Sequence, residues 1–475
     1  MDGGLGMAIT TTIYLSKLEF GNRFDGELYN PHLLKSFNVL KNSGYELLSL
    51  GSFCSIKSGT TPKDRDDSLQ EGPVLFKTTD VRNNVMSAYD SFYHISDTIH
   101  NRMSVTKIEP YDVLLNIVGA TLDVIGRSSI IMDDFQEANI TQAMVFLRIK
   151  KKILPGYLFA FLNTKYAQDQ IKRFARPTGQ YNLNLMEAGK ILIPNFDIIE
   201  QSRIEDEIKK SALLQEKSKS LFLQAERLLS QELQLDKLNI SSKKWYTTDY
   251  SEVIESKRLD SNHFKDVYTI MFDFLKSRFN CKRIGQIVNV NRRGLQPIYS
   301  DKGNVMVVNS KHLSQTHINY DQTEKTTIEE FSKQSAAQIK YGDVLIYTTG
   351  AYIGLTNAFN SQEKALASNH VNILRLSDNT IDPNYLALVL NSVVGKLQTE
   401  KHSRGSAQLE LYPADIAKFI VPIIDGDLMS KIGELVRNSL TSLNQSKKLL
   451  SQAKQRVEEL IEKEVCKNKK QWAKQ

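Results

Sequence analysis

The stretch DVLLNIVGA, Asp112–Ala120, decides how the chain is read, because it returns as DVLIYTTGA at Asp343–Ala351. Other segments return around it in the same order. RFD (Arg23–Asp25) matches RLD (Arg258–Asp260), LGSF (Leu50–Phe53) matches IGQI (Ile284–Ile287), and LRI from Leu147 matches LRL from Leu374. PGYLFAFLN (Pro155–Asn163) matches PNYLALVLN (Pro383–Asn391), and LIPNFD (Leu192–Asp197) matches IVPIID (Ile420–Asp425). The offset stays between 227 and 235 residues, and no gap is needed from Pro155 to Pro194. Collinear matches at one long period are the signature of a tandem repeat.

Each copy has two parts. The first is mixed: runs such as GPVLFKTTDV, YDVLLNIVG and AMVFLRI read as strands bounded by turn residues. GYLFAFLNTKYAQDQIKRFA reads as an amphipathic helix opened by Pro155 and Gly156. The expectation is an α+β globule. The second part is a long helix. Residues 199–238 contain no Pro and no Gly, and Leu214, Leu221, Leu228 and Leu235 recur every seven residues, with Ser211, Ser218 and Ala225 between them. That spacing predicts a heptad seam. In the second copy, over residues 428–465, Leu443, Leu450 and Val457 keep the spacing while Lys447 and Lys454 interrupt it. The expected boundaries are a first globule at 13–197, a helix at 198–240, a second globule at 241–426 and a second helix at 427–468. A helix of about 40 residues spans roughly 60 Å and would expose its Leu stripe if it stood alone. The expected partner is the other helix, in an antiparallel coiled coil that makes the chain a pseudo-two-fold repeat. The alternative is that each helix packs back on its own globule.

Composition sets looser bounds. The 475 residues are 41% hydrophobic and 24% charged, with 61 basic and 54 acidic side chains giving a formal charge of +7. That balance permits a polyanionic partner without requiring one. Cys54, Cys281 and Cys466 are far apart and form no C-x-x-C pair, so neither a zinc knuckle nor a disulfide framework is expected. The start, MDGGLGMAITTTIYLS, has no basic segment followed by an apolar one, and no run approaches 18 apolar residues, so neither export nor a membrane span is expected. Met7 is an alternative start, which would make residues 1–6 an extension.

The framework positions match between the copies while the polar loops diverge. KSGTTPKDRDD faces NRRGLQPIYSD, FKTTDVRNN faces VVNSKHLSQ, and ARPTGQYNLN (Ala175–Asn184) faces HSRGSAQLEL (His402–Leu411). These loops supply Arg, Lys, Asn, Gln, Thr and His, the side chains that hold phosphates and read base edges.

On these residues the chain resembles the specificity (S) subunits of Type I restriction-modification systems. SGTTP (Ser58–Pro62) followed by GPVLFKTTDV is similar to that family's first recognition motif. YDVLLNIVGATLDVIGR (Tyr111–Arg127) and ANITQAMVFLRI resemble its next two segments. PTGQYNLNLMEAGKILIPNFDIIEQSRI (Pro177–Ile204), with Pro194 and Gln201, resembles the entry to its spacer helix, and the RFDGELYNP and RLDSNHF openings are similar to a common variant. In the second copy Met429 stands near the expected Gln, and RRGLQP replaces SGTTP. The resemblance implies two target-recognition domains, each reading half of a bipartite, asymmetric site on double-stranded DNA, with the helices setting the spacer. It also implies docking of two methyltransferase (M) subunits and of restriction (R) subunits; the scattered thiols and the lack of an export or membrane segment point to a reducing, cytoplasmic place of work with no membrane.

In that setting Lys63, Arg65, Lys77, Arg82, Arg173 and Arg176 would hold phosphates in the first half, and Thr78, Thr79, Asn83, Asn84, Gln180, Tyr181 and Asn182 would read base edges or groove shape. In the second half Arg292, Arg293, Lys311, Lys401 and Arg404 would hold phosphates, and Gln296, Asn309, His312 and Gln408 would read.

Nothing in the sequence calls for chemistry. There is no Gly-rich cofactor loop and no (Asn/Asp/Ser)-Pro-Pro-(Tyr/Phe) segment, and GATLDVIG lacks the G-K-[ST] of a phosphate loop. Asp64, Asp66 and Asp67, like Asp133 and Asp134, read as loop acids, no H-x-x-x-H pair occurs, and Asp112 and Asp343 read as turn or cap residues. No catalytic residue, cofactor or metal is therefore expected. The competing expectation is a non-enzymatic coiled-coil scaffold whose two modules bind protein or glycan.

Overall fold

The computed structural model describes residues 12, 26, 28–87, 91–133, 135–177, 179–241, 245–405 and 408–472, with side chains described up to Glu464. The Arg23–Asp25 half of one repeat match, residues 1–6 and Asp134 lie outside the described residues. The chain divides into two compact units, residues 1–217 with 442–475, and residues 218–441.

In the first unit, α1 (Pro31–Lys41) precedes β1 (Leu47–Ser49), β2 (Cys54–Ser58), β3 (Val74–Phe76), β4 (Asn84–Val85), β5 (Val113–Asn116), β6 (Val118–Gly119), β7 (Ser128–Ile130), β8 (Ala138–Ile140) and β9 (Met144–Ile149). Then come α2 (Pro155–Leu162), α3 (Lys165–Phe174), β10 (Arg176–Pro177), β11 (Tyr181–Asn182), β12 (Leu192–Pro194) and the long α4 (Ile198–Glu232). The main sheet has the order β2-β9-β5-β7-β4, beside a parallel β3-β8 pair and an antiparallel β1-β12 pair. All four residues of β5 are buried, which is why Val113, Leu114 and Leu115 run apolar in succession rather than alternating.

In the second unit, α5 (Asp266–Lys276) leads to β13 (Asn280–Arg283), β14 (Val288–Arg293), β15 (Val305–Val308), β16 (Glu324–Thr326), β17 (Gln338–Ile339), β18 (Val344–Tyr347), β19 (Thr356–Ala358), β20 (Ala365–Ala367) and β21 (Val371–Leu376). α6 (Pro383–Asn391), α7 (Val393–His402), β22 (Ile420–Ile423) and α8 (Gly426–Trp472) follow. The order β14-β21-β18-β19 repeats β2-β9-β5-β7, β15-β20 repeats the parallel β3-β8 pair, and β13-β22 repeats β1-β12. The additions differ. The first unit extends its main sheet with β4 and builds β10-β11-β6, while the second flanks β15-β20 with β16 and β17.

Matched side chains hold the two frames. Tyr157 donates to the carbonyl of Pro194 at 2.5 Å, and Tyr385 to that of Pro422 at 2.7 Å. Gln170 brackets Leu192, and Gln398 brackets Ile420, each side chain both giving to and taking from one backbone unit. Asp112 and Asp343 accept the turn amides of Glu109 (2.8 Å) and Lys340 (2.7 Å), as the turn reading expects. They also take a two-pronged grip from Arg148 (2.9 and 2.7 Å) and Arg375 (2.8 and 2.7 Å), which the local pattern does not reveal. Each carboxylate is 1% exposed, so the paired arginine compensates a charge removed from water. The differing SGTTP and RRGLQP segments share one geometry. A Cβ on Gly59 would stand 1.9 Å from the carbonyl oxygen of Ile140, and one on Gly294 would stand 2.0 Å from that of Ala367, so only glycine fits either place.

The long helices begin alike, with Asp197 accepting from Ile199 and Glu200 and Asp425 from Asp427 and Leu428, as N-caps do. Their seam is not the Leu stripe. Leu214, Leu221, Leu228 and Leu235 are only partly buried; the buried positions of α4 include Ile204, Ile208, Ser211, Gln215, Ser218, Phe222, Ala225 and Leu229. In α8 Ser439, Ser446 and Ala453 are buried, and Lys447 and Lys454 lie off the seam. Within the first unit Ser211 donates to the carbonyl of Ser446 (3.1 Å) while Ser446 donates to that of Ser211 (2.8 Å), and Glu207 meets Arg456 at 2.6 Å. Position numbers rise along one helix as they fall along the other, so the pair is antiparallel. Within the second unit Ser439 donates to the carbonyl of Ser218 at 2.7 Å. A hydroxyl reaches a neighbouring helix backbone only where both contacting residues are small, which leucine at these positions would prevent. Within the first unit the paired helices also meet the globule: Ile204, Ile208 and Ala212 of α4 and Ala453, Val457 and Ile461 of α8 join the same core. Among the described residues no helix is long and apolar enough to cross a membrane.

Candidate nucleic-acid interface

Two hairpins carry much of the predicted interface. In the first unit Arg176 pairs with Asn182 and Pro177 with Tyr181, and Tyr181 and Asn182 pair onward with Gly119 and Val118. Gly179, at φ +80°, supplies the left-handed turn that an L side chain resists. Gln180 and Asn182 are exposed and Tyr181 is half-buried. Arg176 is held from behind: its Nη2 lies 2.6 Å and its Nε 3.2 Å from the buried Glu187. Two of its five donors are thereby spent, and the guanidinium plane is fixed.

The second hairpin has the same span. Arg404 and Glu410 exchange both backbone hydrogen bonds, at 2.8 and 2.7 Å, and Gly350 donates to the carbonyl of Leu409 at 3.0 Å. Arg404 grips Asp415 at 3.0 and 3.2 Å, as Arg176 grips Glu187. Burial alone would raise the Asp415 carboxyl, but Lys418 and Arg404 outweigh it and hold the group below the usual carboxylate range. The glycine sits elsewhere in this loop, with Gly405 at φ +100° next to the hairpin base. Arg293 donates to the carbonyl of Leu411 at 3.0 Å, and Arg293 and Arg404 stand 4.9 and 6.0 Å from the ring of Tyr412. Gln408 and Arg292 are exposed.

A second cluster lies in the first unit around Tyr93. Lys77 Nζ is 3.7 Å and the Arg65 guanidinium 5.8 Å from the ring centre, distances at which a cation is attracted to the ring face. Lys63 is exposed on the same loop as Arg65. Asp64 pairs with Arg102 at 2.6 Å, Asp66 takes Ser68, and Asp67 accepts from Tyr93, so these acids serve the loop. The Thr78–Asn84 stretch is partly spent on itself. The Thr78 carbonyl accepts from Asn116 (3.0 Å) and the Thr79 carbonyl from Arg82 (2.6 Å). Asn83, at φ +60°, accepts from the backbone of Ser128, and Asn84 accepts from Arg82 N and Ser129 Oγ. The carboxamide oxygens of Asn83 and Asn84 therefore fasten the loop to β7 rather than face outward. Arg82 and Thr79 remain exposed.

In the second unit Gln296, Asn309 and Lys311 converge through two residues the sequence reading missed. Gln296 donates to Tyr299, Tyr299 donates to Asn309, and both Asn309 (2.7 Å) and Lys311 reach the carboxylate of Glu324. Burial would raise the Glu324 carboxyl, but Lys311 and Asn309 hold it below its ordinary value.

Three expected contacts are corrected. Arg173 is 0% exposed: its Nε donates to the carbonyl of Leu28 at 3.0 Å and its guanidinium lies 4.5 Å from the Phe37 ring, so it is a core cation and cannot meet phosphate. His312 is also fully buried, takes the Asn309 amide and lies 3.3 Å from Glu324, and burial pushes its pKa down. Lys401 is half-buried and donates to the carbonyl of His263 at 2.8 Å, with burial lowering its pKa. Tyr93, Tyr299, Glu324 and Tyr412 are the residues to add. Lone aromatics and acids carry no periodic signal, and only their proximity to the cations marks them.

Among the described residues no group of three or more His, Cys, Asp or Glu side chains could hold a metal ion. Burial raises the Cys54 thiol to about 12 and also raises Cys281, so both are poor nucleophiles at neutral pH.

Residues 276–425 match the family model described as the Type I restriction modification DNA specificity domain. No curated protein matches the sequence. Among solved structures, the S subunit of a Type I restriction-modification system from M. genitalium is similar at 15% identity and TM-score 0.45, over 89% of this chain and 96% of that one. The HsdS subunit from Thermoanaerobacter tengcongensis is similar at 14% identity and TM-score 0.27, over 88% of this chain and 97% of that one.

Proposed function

We propose that this chain, whose residues 276–425 match the Type I restriction modification DNA specificity domain, is a specificity subunit whose sequence-specific DNA recognition is bipartite, each lobe reading one half of an asymmetric site. Residues 13–197 and 241–426 are the two target-recognition domains, and 198–240 and 427–468 are the spacer helices between them. The subunit does no chemistry; it positions two methyltransferase (M) subunits and the restriction (R) subunits on double-stranded DNA in the cytoplasm.

One observation carries this reading: matched frames present unmatched side chains. The hairpins share span, strand register and an Arg–carboxylate anchor, yet Gln180, Tyr181 and Asn182 stand where the second lobe has Gln408, Leu409 and Glu410. Cations with unspent donors, among them Arg65, Lys77, Arg176, Arg292 and Arg404, supply a sequence-independent hold on phosphate, and the polar residues between them supply the choice of base.

The test is binding by the full chain, in its methyltransferase assembly, to DNA carrying the motif that methylome sequencing returns. Affinity should fall with salt at a log–log slope of about −0.9 per phosphate contact. Gln180→Ala should lose about 1–3 kcal/mol of discrimination at one base pair of one half-site, while Arg176→Ala should weaken all sequences alike. A methylated motif with one continuous half, or a flat salt response, removes the proposal.

A further inference from the structure

The second hairpin is fixed at its base by a segment far away in sequence. α7 ends at His402, and the carbonyls of a helix's last turn have no partner within the helix. Arg258 fills that gap. Its guanidinium is held flat by Asp260, with Nε to Oδ2 at 2.7 Å and Nη2 to Oδ1 at 2.9 Å. From there it donates to the carbonyls of Lys401 (3.3 Å) and Ser403 (2.8 Å). The side chain of Arg258 is 10% exposed. His263, whose amide Asp260 caps at 3.2 Å, places its Nδ1 2.7 Å from the same Lys401 carbonyl, and Lys401 Nζ returns a bond to the His263 carbonyl at 2.8 Å. Lys265 pairs with Glu400, the residue just before Lys401. The His263 ring meets His402 edge-on at 5.7 Å, and His402 rests on Phe419 at 5.6 Å.

Ser403 is the residue immediately before Arg404, where the hairpin begins. The Arg258 clasp therefore holds one side of the hairpin base, while Asp415 holds Arg404 from the other. We propose that Arg258, with Asp260 and His263, is a positioning residue for base reading by the second lobe: it clamps the end of α7 and so fixes the angle at which the Arg404–Glu410 hairpin presents Arg404 and Gln408. Among the described residues Arg258 and His263 bond to the backbone of residues 401 and 403 and to none of the exposed reading side chains. This gives the RLD element of the repeat a purpose that its composition does not announce. The inference rests on the reading of the second lobe as a DNA-recognition domain, and its test separates the two.

Arg258→Ala and Arg258→Lys are made in the full chain, and amide hydrogen exchange is followed at Arg404 and Glu410, whose backbones pair across the hairpin. In Arg258→Ala exchange at those two amides should rise at least ten-fold, with exchange in β18 and β21 unchanged; lysine, which keeps charge but not the two-pronged geometry, should fall between. In the methyltransferase assembly, Arg258→Ala should lose about five- to twenty-fold of its preference for the intact half-site read by the second lobe, while preference at the other half-site and affinity for random DNA stay within two-fold. Unchanged exchange at Arg404 and Glu410 overturns the clamp. A rise across β18 and β21 as well overturns it too, because the residue then supports the whole lobe. Raised hairpin exchange in a chain whose wild type shows no half-site preference leaves the clamp standing and removes the DNA-reading proposal instead.

Discussion

The two hairpins differ most where they are most alike. Both close over the same span, both hang from an arginine fixed by a buried carboxylate, yet Gly179 turns the first at its centre and Gly405 turns the second beside its base. The reading positions follow suit: Tyr181 and Asn182 against Leu409 and Glu410. At the frame positions the lobes repeat the same bonds, from the Tyr157 and Tyr385 hydroxyls to the Asp112–Arg148 and Asp343–Arg375 pairs. The lesson is a division of labour. Residues that hold the frame are buried and have partners fixed in geometry, so both copies keep them. Gln180 and Gln408 are exposed on their hairpins, so their identity can vary at little cost to the fold.

That comparison can be broken at several places. The largest effect is expected from Asp112→Asn and Asp343→Asn. Each leaves its arginine beside an uncharged buried partner, at about 4 kcal/mol, and the two losses should be of the same order because both arginines grip the carboxylate with two bonds, with Arg148 alone keeping a second carboxylate, Glu109. Urea unfolding of both variants measures this; a difference of more than about half would mean that the frames are less equivalent than their bonds suggest.

Next come Gly59→Ala and Gly294→Ala, which push a methyl group into a carbonyl oxygen and should cost about 3 kcal/mol each. The same unfolding measurement applies, and a stable alanine variant in either lobe would deny that SGTTP and RRGLQP are one structure.

Acid should then separate the lobes. In the second lobe burial pushes down the pKa values of His263, His312 and His402, the last to about 3. A histidine kept neutral by the fold takes up its proton more readily when unfolded. Its contribution is therefore complete above pH 6.5 and lost as pH falls from there toward 3, at about 2 kcal/mol for His402 between pH 7 and pH 5. Hydrogen exchange of β18 and β21 at the two pH values, corrected for intrinsic rates, should show the loss, and His402→Gln should remove the share that His402 carries.

The smallest effect is Ser446→Ala, which deletes the hydroxyl shared with Ser211 but leaves the helices able to approach, at about 1 kcal/mol. Ser446→Leu, in contrast, should cost more than the alanine change, because no room exists for it; thermal unfolding of the pair of variants ranks them.

The residues that misled are as informative as those that did not. Leu214, Leu221, Leu228 and Leu235 and the set Ser211, Ser218 and Ala225 share one heptad spacing, so periodicity alone could not say which faces the partner helix. Arg173 has the composition of a phosphate ligand and sits in a helix with basic neighbours, yet its partner is the backbone of Leu28, 145 residues away in the chain. The same holds for Lys401, whose partner His263 lies 138 residues away.

What the sequence by itself determined was the duplication, the α+β character of each lobe, the long helices and the loops in which the copies diverge. Those follow from local rules of burial, turn chemistry and spacing, which act over a few residues and leave a periodic trace. Only the tertiary structure decided which helix face is buried, which cations reach the surface, and which distant arginine braces the second hairpin. Those depend on contacts between segments tens to hundreds of residues apart, and a polar side chain at such a contact carries no mark that distinguishes it from one in water.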